Sequence, residues 1–422
     1  MTLYKSFRDE MMAGGSTEER PETEPTSKTT AMVSGVVIAG LLVWLGIANP
    51  WSLVLVFGLL VSVFLHEVGH FVTAGWAGMK RTQFFMGFGP RLWSTHRNGV
   101  EYGLRALPLG AFVRIVGMNN LDPVEAGDED VAYVNKPYRW RMLVITAGSL
   151  MHGLIAVVLL LGVYTFGGRF QETGDVRVTG VAAESPAMAA GLENGDVIRV
   201  IDGQSIDSTE EMRSYVRSRS AGDAIAIEYE RDGQLLSTTL ILADVSDPST
   251  APTNDQAARP GFMGVASDDF ARESIPVWEA AGHVGGDLAR SVWATFEGIA
   301  TVANPFNQIE QLTNEDADPA TRPTTVVGIT MIAGDIGEEY GLWAVLEILA
   351  SINIFVGIFN LFPMLPFDGG HAAIATYERV RSRKGRVYRA DVEKLWPVTV
   401  AVLGMLIFLT FTGLYLDITR PF

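Results

Sequence analysis

Cysteine is absent from this 422-residue chain. Its absence excludes disulfide bridges, thiol nucleophiles and cysteine-based zinc or iron–sulfur sites, and it says nothing about the redox compartment. Charged residues are also scarce, at 19% of the chain, and their sum is a net charge of −16, which argues against nucleic acid as a partner. Residues 1–31 contain no apolar run. They are therefore predicted to be a disordered N-terminal segment, and no cleavable signal peptide is expected.

Apolar residues are abundant instead, at 48% of the chain, which is typical of a membrane protein with a sizeable soluble part. A span needs about 20 mostly apolar residues. Five segments meet or approach this length, namely 32–48, 52–76, 142–166, 343–363 and 397–416. Asn49-Pro50 separates the first two, which are predicted to form a tight helical hairpin. The first is short, and its alternative is a helix lying in the membrane interface. The fold class predicted is a polytopic α-helical membrane protein with about five transmembrane helices.

The distribution of charge predicts the orientation of these spans. Segment 77–141 carries nine lysine and arginine residues and segment 375–396 carries seven, whereas 167–343 has 29 acidic and 11 basic residues. The positive-inside rule places the two basic segments and the N-terminus in the cytoplasm, and the acidic segment outside. The localisation predicted is therefore the cell membrane, with several passes.

A small module is predicted within the acidic segment. Residues 178–206 alternate apolar side chains with period two at both ends, Ser208 to Glu211 forms a capping box, and Asp232-Gly233 joins two strand-like runs. The run "SPA…AGL…GDVI…IDG" resembles a bacterial PDZ domain, so an inserted α+β PDZ-like domain is predicted at 167–245. PDZ domains add an extended peptide to a sheet edge. The resemblance implies a peptide C-terminus or an extended peptide as partner, and the alternative is a domain that blocks access and binds nothing.

The second apolar segment contains the run "HEVGH". His66 and His70 lie one helical turn apart on one face, with Glu67 beside them. An ionisable side chain inside a bilayer is costly, and it is a functional candidate by default. Two neutral imidazoles at this spacing can hold zinc, and the glutamate can act as general base on zinc-bound water. The alternative is a histidine cluster packed against other spans without a metal.

A third protein ligand is expected at a catalytic zinc site. The remaining histidines are His96, His152, His283 and His371. The stronger candidate is Asp368, within "NLFPMLPFDGGH" at the end of the fourth span, where Gly369-Gly370 lets the backbone turn closely. The second and fourth spans both run inward in the predicted orientation. The histidine pair and Asp368 are therefore expected in the same cytoplasmic half of the bilayer.

These motifs together resemble the site-2 protease family of intramembrane zinc metalloproteases, over about 32–416. The resemblance implies a Zn²⁺ cofactor bound by His66, His70 and Asp368, with Glu67 as the catalytic base. It also implies that Asn360 and Pro363, in the N-x-x-P-x-x-P-x-D-G-G motif, position the substrate backbone.

Two further stretches, "MGFGPRLWS" and "YGLRALPLGAFVRIVGM", are similar to the family's membrane-associated β-rich loop, which is thought to engage an extended substrate. The resemblance therefore implies substrate contacts by Gly87, Phe88 and Gly89. The third span departs from the family's pattern, because Ser149 and His152 stand where many relatives have proline and asparagine. His152 is predicted either to make an interhelical hydrogen bond or to contact substrate or metal.

The resemblance implies hydrolysis of a peptide bond within the membrane segment of single-span proteins, such as an anti-sigma factor or a remnant signal peptide. Such substrates and the lipid bilayer are the predicted partners. Two other classes compete with this hypothesis. A membrane scaffold would be expected to lack one of the four site residues, and all four are present. An ion transporter with a His/Glu/Asp relay commonly shows repeated halves, and no internal repeat is found.

The predicted organisation has nine parts along the chain. They are a cytoplasmic N-terminus (1–31), two spans (32–76), a β-rich cytoplasmic-side loop (77–141), a span (142–166), the PDZ-like domain (167–245), a linker with an amphipathic helix (246–342), a span with the aspartate motif (343–371), a basic cytoplasmic segment (372–396), and a last span with the C-terminus (397–422).

Overall fold

The computed structural model describes residues 28–118, 124–244, 260–314, 316–382 and 386–421. The chain forms two compact units, one comprising Met1–Val163 with Val277–Phe422 and the other Tyr164–Pro276. We call them the helical unit and the inserted unit. Most of the segment predicted to be disordered lies outside the described residues, and so do residues 246–259 of the predicted linker.

In chain order, the helices are α1 (Lys28–Ala48), α2 (Pro50–Trp76), α3 (Tyr138–Gly162), α4 (Pro186–Ala189), α5 (Thr209–Ser218), α6 (Val277–Val302), α7 (Pro305–Thr313), α8 (Val326–Tyr340), α9 (Leu342–Phe359), α10 (Asp368–Arg381) and α11 (Trp396–Thr419). A π-helical turn, Val163–Gly167, continues α3, and short 3-10 turns lie at Tyr133–Asn135, Pro319–Thr321 and Val392–Leu395.

The strands are β1 (Arg81–Arg97), β2 (Val100–Ile115), β3 (Arg169–Val181), β4 (Val197–Ile201), β5 (Gln204–Ser205), β6 (Ala224–Arg231), β7 (Gln234–Ile241), β8 (Ala243–Asp244), β9 (Gly261–Phe262) and β10 (Val265–Glu273). The first two belong to the helical unit and the rest to the inserted unit.

Four helices, α2, α3, α9 and α11, are long and apolar enough to cross a membrane. They correspond to the last four of the five predicted spans. The apolar part of α1, Met32–Ala48, is shorter. Its 17 residues extend about 25 Å, against a hydrocarbon core of about 30 Å. Asn49 ends α1 and caps α2, because its side-chain oxygen accepts hydrogen bonds from the amides of Trp51 and Ser52 at 3.0 Å each.

A long antiparallel hairpin, β1 and β2, follows α2 and supplies the β content predicted for residues 77–141. Its turn, Asn98-Gly99, has positive φ at both residues, as a tight hairpin turn requires. Phe84 anchors the hairpin on the C-terminal half of α2, since its ring lies 5.5 Å from that of Phe64 and 5.4 Å from that of Phe71.

Helix α10 is tied to the start of α3 by a buried ion pair. Arg141 donates to Glu378 at 2.9 Å, and the Glu378 side chain is 2% exposed. The backbone amide of Ala390 donates to the other carboxylate oxygen at 2.9 Å. Because Asp368 is the first residue of α10, this pairing also holds the helix that presents Asp368.

The region between the inserted unit and α9 contains more helix than predicted. The expected amphipathic helix is present as α6, but α7 and α8 follow it where a linker was predicted. Helix α8 packs on α2, and the hydroxyl of Ser52 donates to the carbonyl of Thr330 at 2.8 Å. At 15 residues, α8 is too short for a span, so its stability depends on this tertiary packing rather than on a pattern visible in sequence.

The inserted unit is built on one antiparallel sheet of strand order β10-β3-β4-β6-β7, with β5 paired to β4. Helix α5, capped by Ser208 as predicted, covers a core that includes Ile198, Ile225 and Ile227. The predicted limit at residue 245 is too early, because β10 pairs along β3. That pairing joins residues almost one hundred positions apart, which local patterns do not reveal.

One buried carboxylate in the inserted unit is paired as a structural group. Burial alone would raise the pKa of Asp196, but hydrogen bonds from Arg231 and from the backbone amide of Glu193 hold that pKa below its usual value. Arg231 donates to both carboxylate oxygens, at 2.7 and 2.8 Å. The pair joins the end of β6 to the turn before β4.

Candidate metal centre

Helix α2 presents His66 and His70 on one buried face, with their Nε2 atoms 3.1 Å apart. Asp368 approaches from the start of α10, and its Oδ2 lies 3.5 Å from His66 Nε2 and 3.3 Å from His70 Nε2. Glu67 Oε1 is 4.0 Å from His66 Nε2. The structure therefore brings together all four residues predicted for the site, across almost three hundred positions of the chain.

The hydrogen bond on the far side of His70 determines what its Nε2 can do. Nδ1 of His70 lies 2.7 Å from the carbonyl oxygen of Val144. A carbonyl can only accept, so Nδ1 carries the hydrogen and Nε2 of the neutral ring presents a lone pair. A backbone carbonyl behind the ring is a usual partner of a metal-ligating histidine.

Asp368 Oδ2 is buried and has no hydrogen-bond donor among the described residues. It faces the lone pair of His70, so the two groups repel each other unless a proton or a metal cation lies between them. Ligands of a tetrahedral zinc at about 2.0–2.1 Å are about 3.3 Å apart. The three separations of 3.1, 3.3 and 3.5 Å match that spacing. The donor set and its spacing fit zinc.

A glycine on α3 makes room for this cluster. A Cβ atom at Gly148 would lie 2.3 Å from Cε1 of His66 and 2.5 Å from Nε2 of both histidines. Gly69 allows the same helix crossing from the other side, because a Cβ there would lie 2.8 Å from the carbonyl oxygen of Ala147. The close approach of α2 and α3 is thus a condition for the site.

The glycine pair after Asp368 has the role expected for it. The amide of Gly369 donates to the carbonyl of Asn360 at 2.7 Å. A Cβ at Gly369 would lie 2.2 Å from the carbonyl oxygens of Leu361 and Phe362, so no larger residue fits there. Pro363 lies within this turn, which brings Asp368 back toward α2. Contacts of Asn360 and Pro363 with a substrate stay a prediction.

The three hairpin residues predicted to contact substrate lie at an irregular part of β1. Gly87 and Gly89 have positive φ values of 91° and 78°, and the β1–β2 register shifts on both sides of Phe88. The Phe88 side chain is 41% exposed, and its ring stacks at 6.1 Å on Phe112. Their contact with substrate likewise stays a prediction.

Asn353 and Ser62 are polar residues of the spans for which no role was predicted, and they connect to the site through His152. Nδ1 of His152 is 2.8 Å from Oδ1 of Asn353, and the Asn353 amide donates to the hydroxyl of Ser62 at 3.1 Å. The interhelical hydrogen bond predicted for His152 is confirmed. A polar residue in an apolar span was the only sequence signal for Asn353.

The remaining histidines are not part of the ligand group. Within the described residues, the group of potential metal ligands comprises His66, His70 and Asp368, whose ligand atoms all lie within 4.8 Å of one another. His371 follows Asp368 by three positions on α10, while His96 is exposed on β1 and His283 is half-buried on α6.

Comparison with known proteins identifies the family. Residues 54–407 match the family model described as "Peptidase family M50". The chain belongs to peptidase family M50. This family includes the site-2 proteases, so the predicted resemblance is confirmed.

Relatives of this M50 chain include the "Zinc metalloprotease Rip1" of Mycobacterium tuberculosis (strain Erdman), which is 32% identical over 392 residues, covering 86% of this chain and 96% of that protein. A "Putative zinc metalloprotease" of Brucella suis biovar 1 is 26% identical over 374 residues, covering 85% and 93%. The inserted unit is similar to the PDZ domain of an SdrC-like protein of Listeria monocytogenes, at 26% identity and a TM-score of 0.18, covering 22% of this chain and 87% of that one.

The M50 chain is a zinc metalloprotease, and the predicted enzyme class, cofactor and fold class are confirmed. It is a multi-pass helical membrane protein with an inserted PDZ-like domain. The competing classes, a scaffold and an ion transporter, do not agree with membership of a peptidase family.

Proposed function

We propose that this protein hydrolyses a peptide bond within the membrane-spanning segment of single-span membrane proteins, with His66, His70 and Asp368 as zinc ligands and Glu67 as general base. The observation that carries the proposal is the convergence of three metal-ligand atoms around one point inside the helical unit, with the Glu67 carboxylate beside them. Zinc in such a site lowers the pKa of a water molecule that it binds and polarises a carbonyl.

The protein's own groups divide the remaining work. Glu67 takes a proton from the attacking water and passes it to the leaving amine. The side chains of Glu67 and Asp368 are 15% and 18% exposed, so a small molecule can reach them although the histidines are buried. Such access supports a hydrolytic role, because lipid excludes the water that the reaction consumes.

A helical substrate must unwind before its scissile carbonyl is accessible, because the carbonyl is otherwise bonded within the helix. We propose that the β1–β2 hairpin receives the unwound segment as an added strand. The irregular register around Gly87, Phe88 and Gly89 supports this role, since it leaves ladder positions unpaired. Asn360 and Pro363 are proposed to position the substrate backbone on the opposite side, in the turn that leads to Asp368.

The proposed topology places residues 77–141 and 372–396 in the cytoplasm and the PDZ-like unit outside. The charge distribution supports this orientation. Outside, the PDZ-like unit would act as a size gate, or receive a peptide C-terminus or an extended peptide. We infer that substrates are already trimmed on that side, with anti-sigma factors and remnant signal peptides as the substrate class.

The test replaces Glu67 with glutamine and follows cleavage of a tagged single-span substrate in membranes. We expect cleavage to fall by about 10²- to 10⁴-fold, because general base catalysis is lost. The zinc content should stay near one per chain, because Glu67 is not a ligand. Glu279→Gln, the same substitution at an exposed position of α6, serves as the matched control and should cleave normally. Undiminished cleavage by Glu67→Gln would contradict the proposal.

A further inference from the structure

The two histidines of the site are held in different ways. The ring of His70 is oriented by the hydrogen bond between its Nδ1 and the carbonyl of Val144, at 2.7 Å. Nδ1 of His66 is buried and has no hydrogen-bond partner within the described part of the chain. Ligand orientation by an outer partner strongly affects metal affinity. Besides the backbone of Gly148, which interacts with this ring, the orientation of His66 therefore depends on packing.

The packing partner of His66 on α3 is His152. The centroids of these two rings are 5.0 Å apart, with the ring planes inclined by 46°. On its other side His66 meets His70 edge-on, at 4.8 Å and 78°. His152 is only 3% exposed. The His66 ring thus lies between one imidazole that shares its helix and another that reaches it from α3.

His152 is itself held in one orientation by α9. The side-chain nitrogen of Asn353 donates to the Ser62 hydroxyl at 3.1 Å and to the Leu349 carbonyl at 2.8 Å. These two bonds orient the amide so that its oxygen accepts from Nδ1 of His152, at 2.8 Å. The polar chain connects α2, α9 and α3, and it leaves His152 one ring orientation.

A close helix contact supports the same arrangement. A Cβ at Gly357 of α9 would lie 3.1 Å from Cβ of His152 and 3.2 Å from the carbonyl oxygen of Ser149. The backbone of α9 therefore limits movement of His152 from behind, while Asn353 limits rotation of its ring.

We propose that His152 is a positioning residue that orients the zinc ligand His66. The proposal rests on the ligand assignment made above. Direct ligation by His152 does not fit the structure, because its nitrogens lie outside the group of ligand atoms within 4.8 Å of one another. A fourth protein ligand would also close the position that a catalytic zinc keeps open. For His66, the ring of His152 thus has the orienting role that the Val144 carbonyl has for His70.

The test measures zinc affinity, by chelator competition on the purified full-length protein, and the visible absorption bands of the Co²⁺-substituted protein. We expect His152→Ala to weaken zinc binding by about 10- to 100-fold, as loss of an outer partner of a ligand does, and to shift the cobalt bands. Leu160→Ala, a buried truncation two turns further along α3, is the control for loosened packing and should leave both readouts unchanged.

A second variant separates ring packing from a polar role of His152. The double variant His152→Phe/Asn353→Leu keeps a ring against His66 and removes both polar partners together, which avoids leaving one of them buried and unpaired. We expect it to bind zinc more tightly than His152→Ala. Affinity as low as that of His152→Ala would overturn positioning by the ring.

The ligand assignment is checked in the same experiment. His66→Ala should abolish tight zinc binding, and unchanged binding by that variant would overturn the assignment itself. If His66→Ala loses zinc while His152→Ala has wild-type affinity and cobalt bands, only the role proposed for His152 is wrong.

Discussion

Asp368 and Asp417, two aspartates of the helical unit, have buried carboxylate oxygens and differ in how those oxygens are satisfied. Asp417, near the end of α11, is 1% exposed. Its Oδ2 accepts from the amide and hydroxyl of Thr325 at 2.9 and 2.6 Å and from the amide of Gly328 at 3.1 Å. Its Oδ1 accepts from Arg322 at 3.1 Å. Every interaction is attractive, so Asp417 is a structural group that caps the first turn of α8.

Asp368, whose side chain is 18% exposed, is in the opposite situation. Its Oδ2 has no donor among the described residues, and it faces Nε2 of two histidines at 3.3 and 3.5 Å. Burying a carboxylate without a partner is costly. The difference between the two aspartates distinguishes a candidate metal ligand from a structural carboxylate. Around Asp368 Oδ2 the neighbouring atoms are potential metal ligands rather than hydrogen-bond donors, so the partner that would satisfy it is a cation.

The largest effect is expected for Asp368→Asn. The amide is almost the same size but carries no charge, so zinc per chain should fall from about one to nearly none, and cleavage should fall with it. Metal-free wild type and variant should unfold at the same or nearly the same temperature. Zinc analysis measures the metal content, and thermal unfolding in the presence of a chelator compares the metal-free proteins. An Asp368→Asn protein that retains zinc would remove the contrast with Asp417.

The reverse result is expected for Asp417→Asn. This change removes the carboxylate that Arg322 contacts at 3.1 Å inside the protein, and breaking a buried ion pair costs about 3–5 kcal/mol. The free energy of unfolding in detergent should fall by that amount, while zinc content stays near one per chain. Asp335→Asn, at an exposed position of α8, is the control and should change neither quantity. Loss of zinc in Asp417→Asn would show that the two carboxylates are coupled.

A smaller effect is expected for Gly148→Ala. The added methyl would lie 2.3–2.5 Å from ring atoms of His66 and His70, and overpacking of this kind costs about 1–3 kcal/mol. Zinc affinity should therefore weaken by about tenfold. Gly153→Ala on the same helix meets no atom within 4 Å and should bind zinc like wild type. If Gly148→Ala and wild type bound zinc with equal affinity in a chelator competition assay, α3 would not confine the ligands.

Much of the site was predictable because its signals are local. His66, Glu67 and His70 are adjacent on one helical turn, and a charge in an apolar run has few structural explanations. Asp368 was predicted to lie near the histidine pair from the directions in which two spans run, and the structure places its Oδ2 3.3 and 3.5 Å from them. The orientation of the spans in the membrane stays a prediction. The close turn at Gly369 also followed from the residue type, since glycine allows backbone to approach backbone.

The roles of Asn353 and Ser62 were not predictable, because each is a single polar residue whose partner lies on another helix. The same reason applies to the pairing of β10 with β3, a strand almost one hundred residues earlier, and to α8, which is stabilised by packing on α2. Hydrogen bonds between distant segments leave no periodic pattern in the chain.

The order of residues alone predicts a multi-pass membrane protein with a candidate metal site, because span length, motif spacing and charge distribution are properties of neighbouring residues. The protease activity and the PDZ-like insertion were implied by the resemblance of its motifs to known families. Which aspartate faces the imidazoles without a donor, and which ring packs against His66, depend on how α2, α3, α9 and α10 cross. Those crossings arise from steric fit at Gly69, Gly148 and Gly357, and steric fit exists only between segments that the folded chain has already brought together.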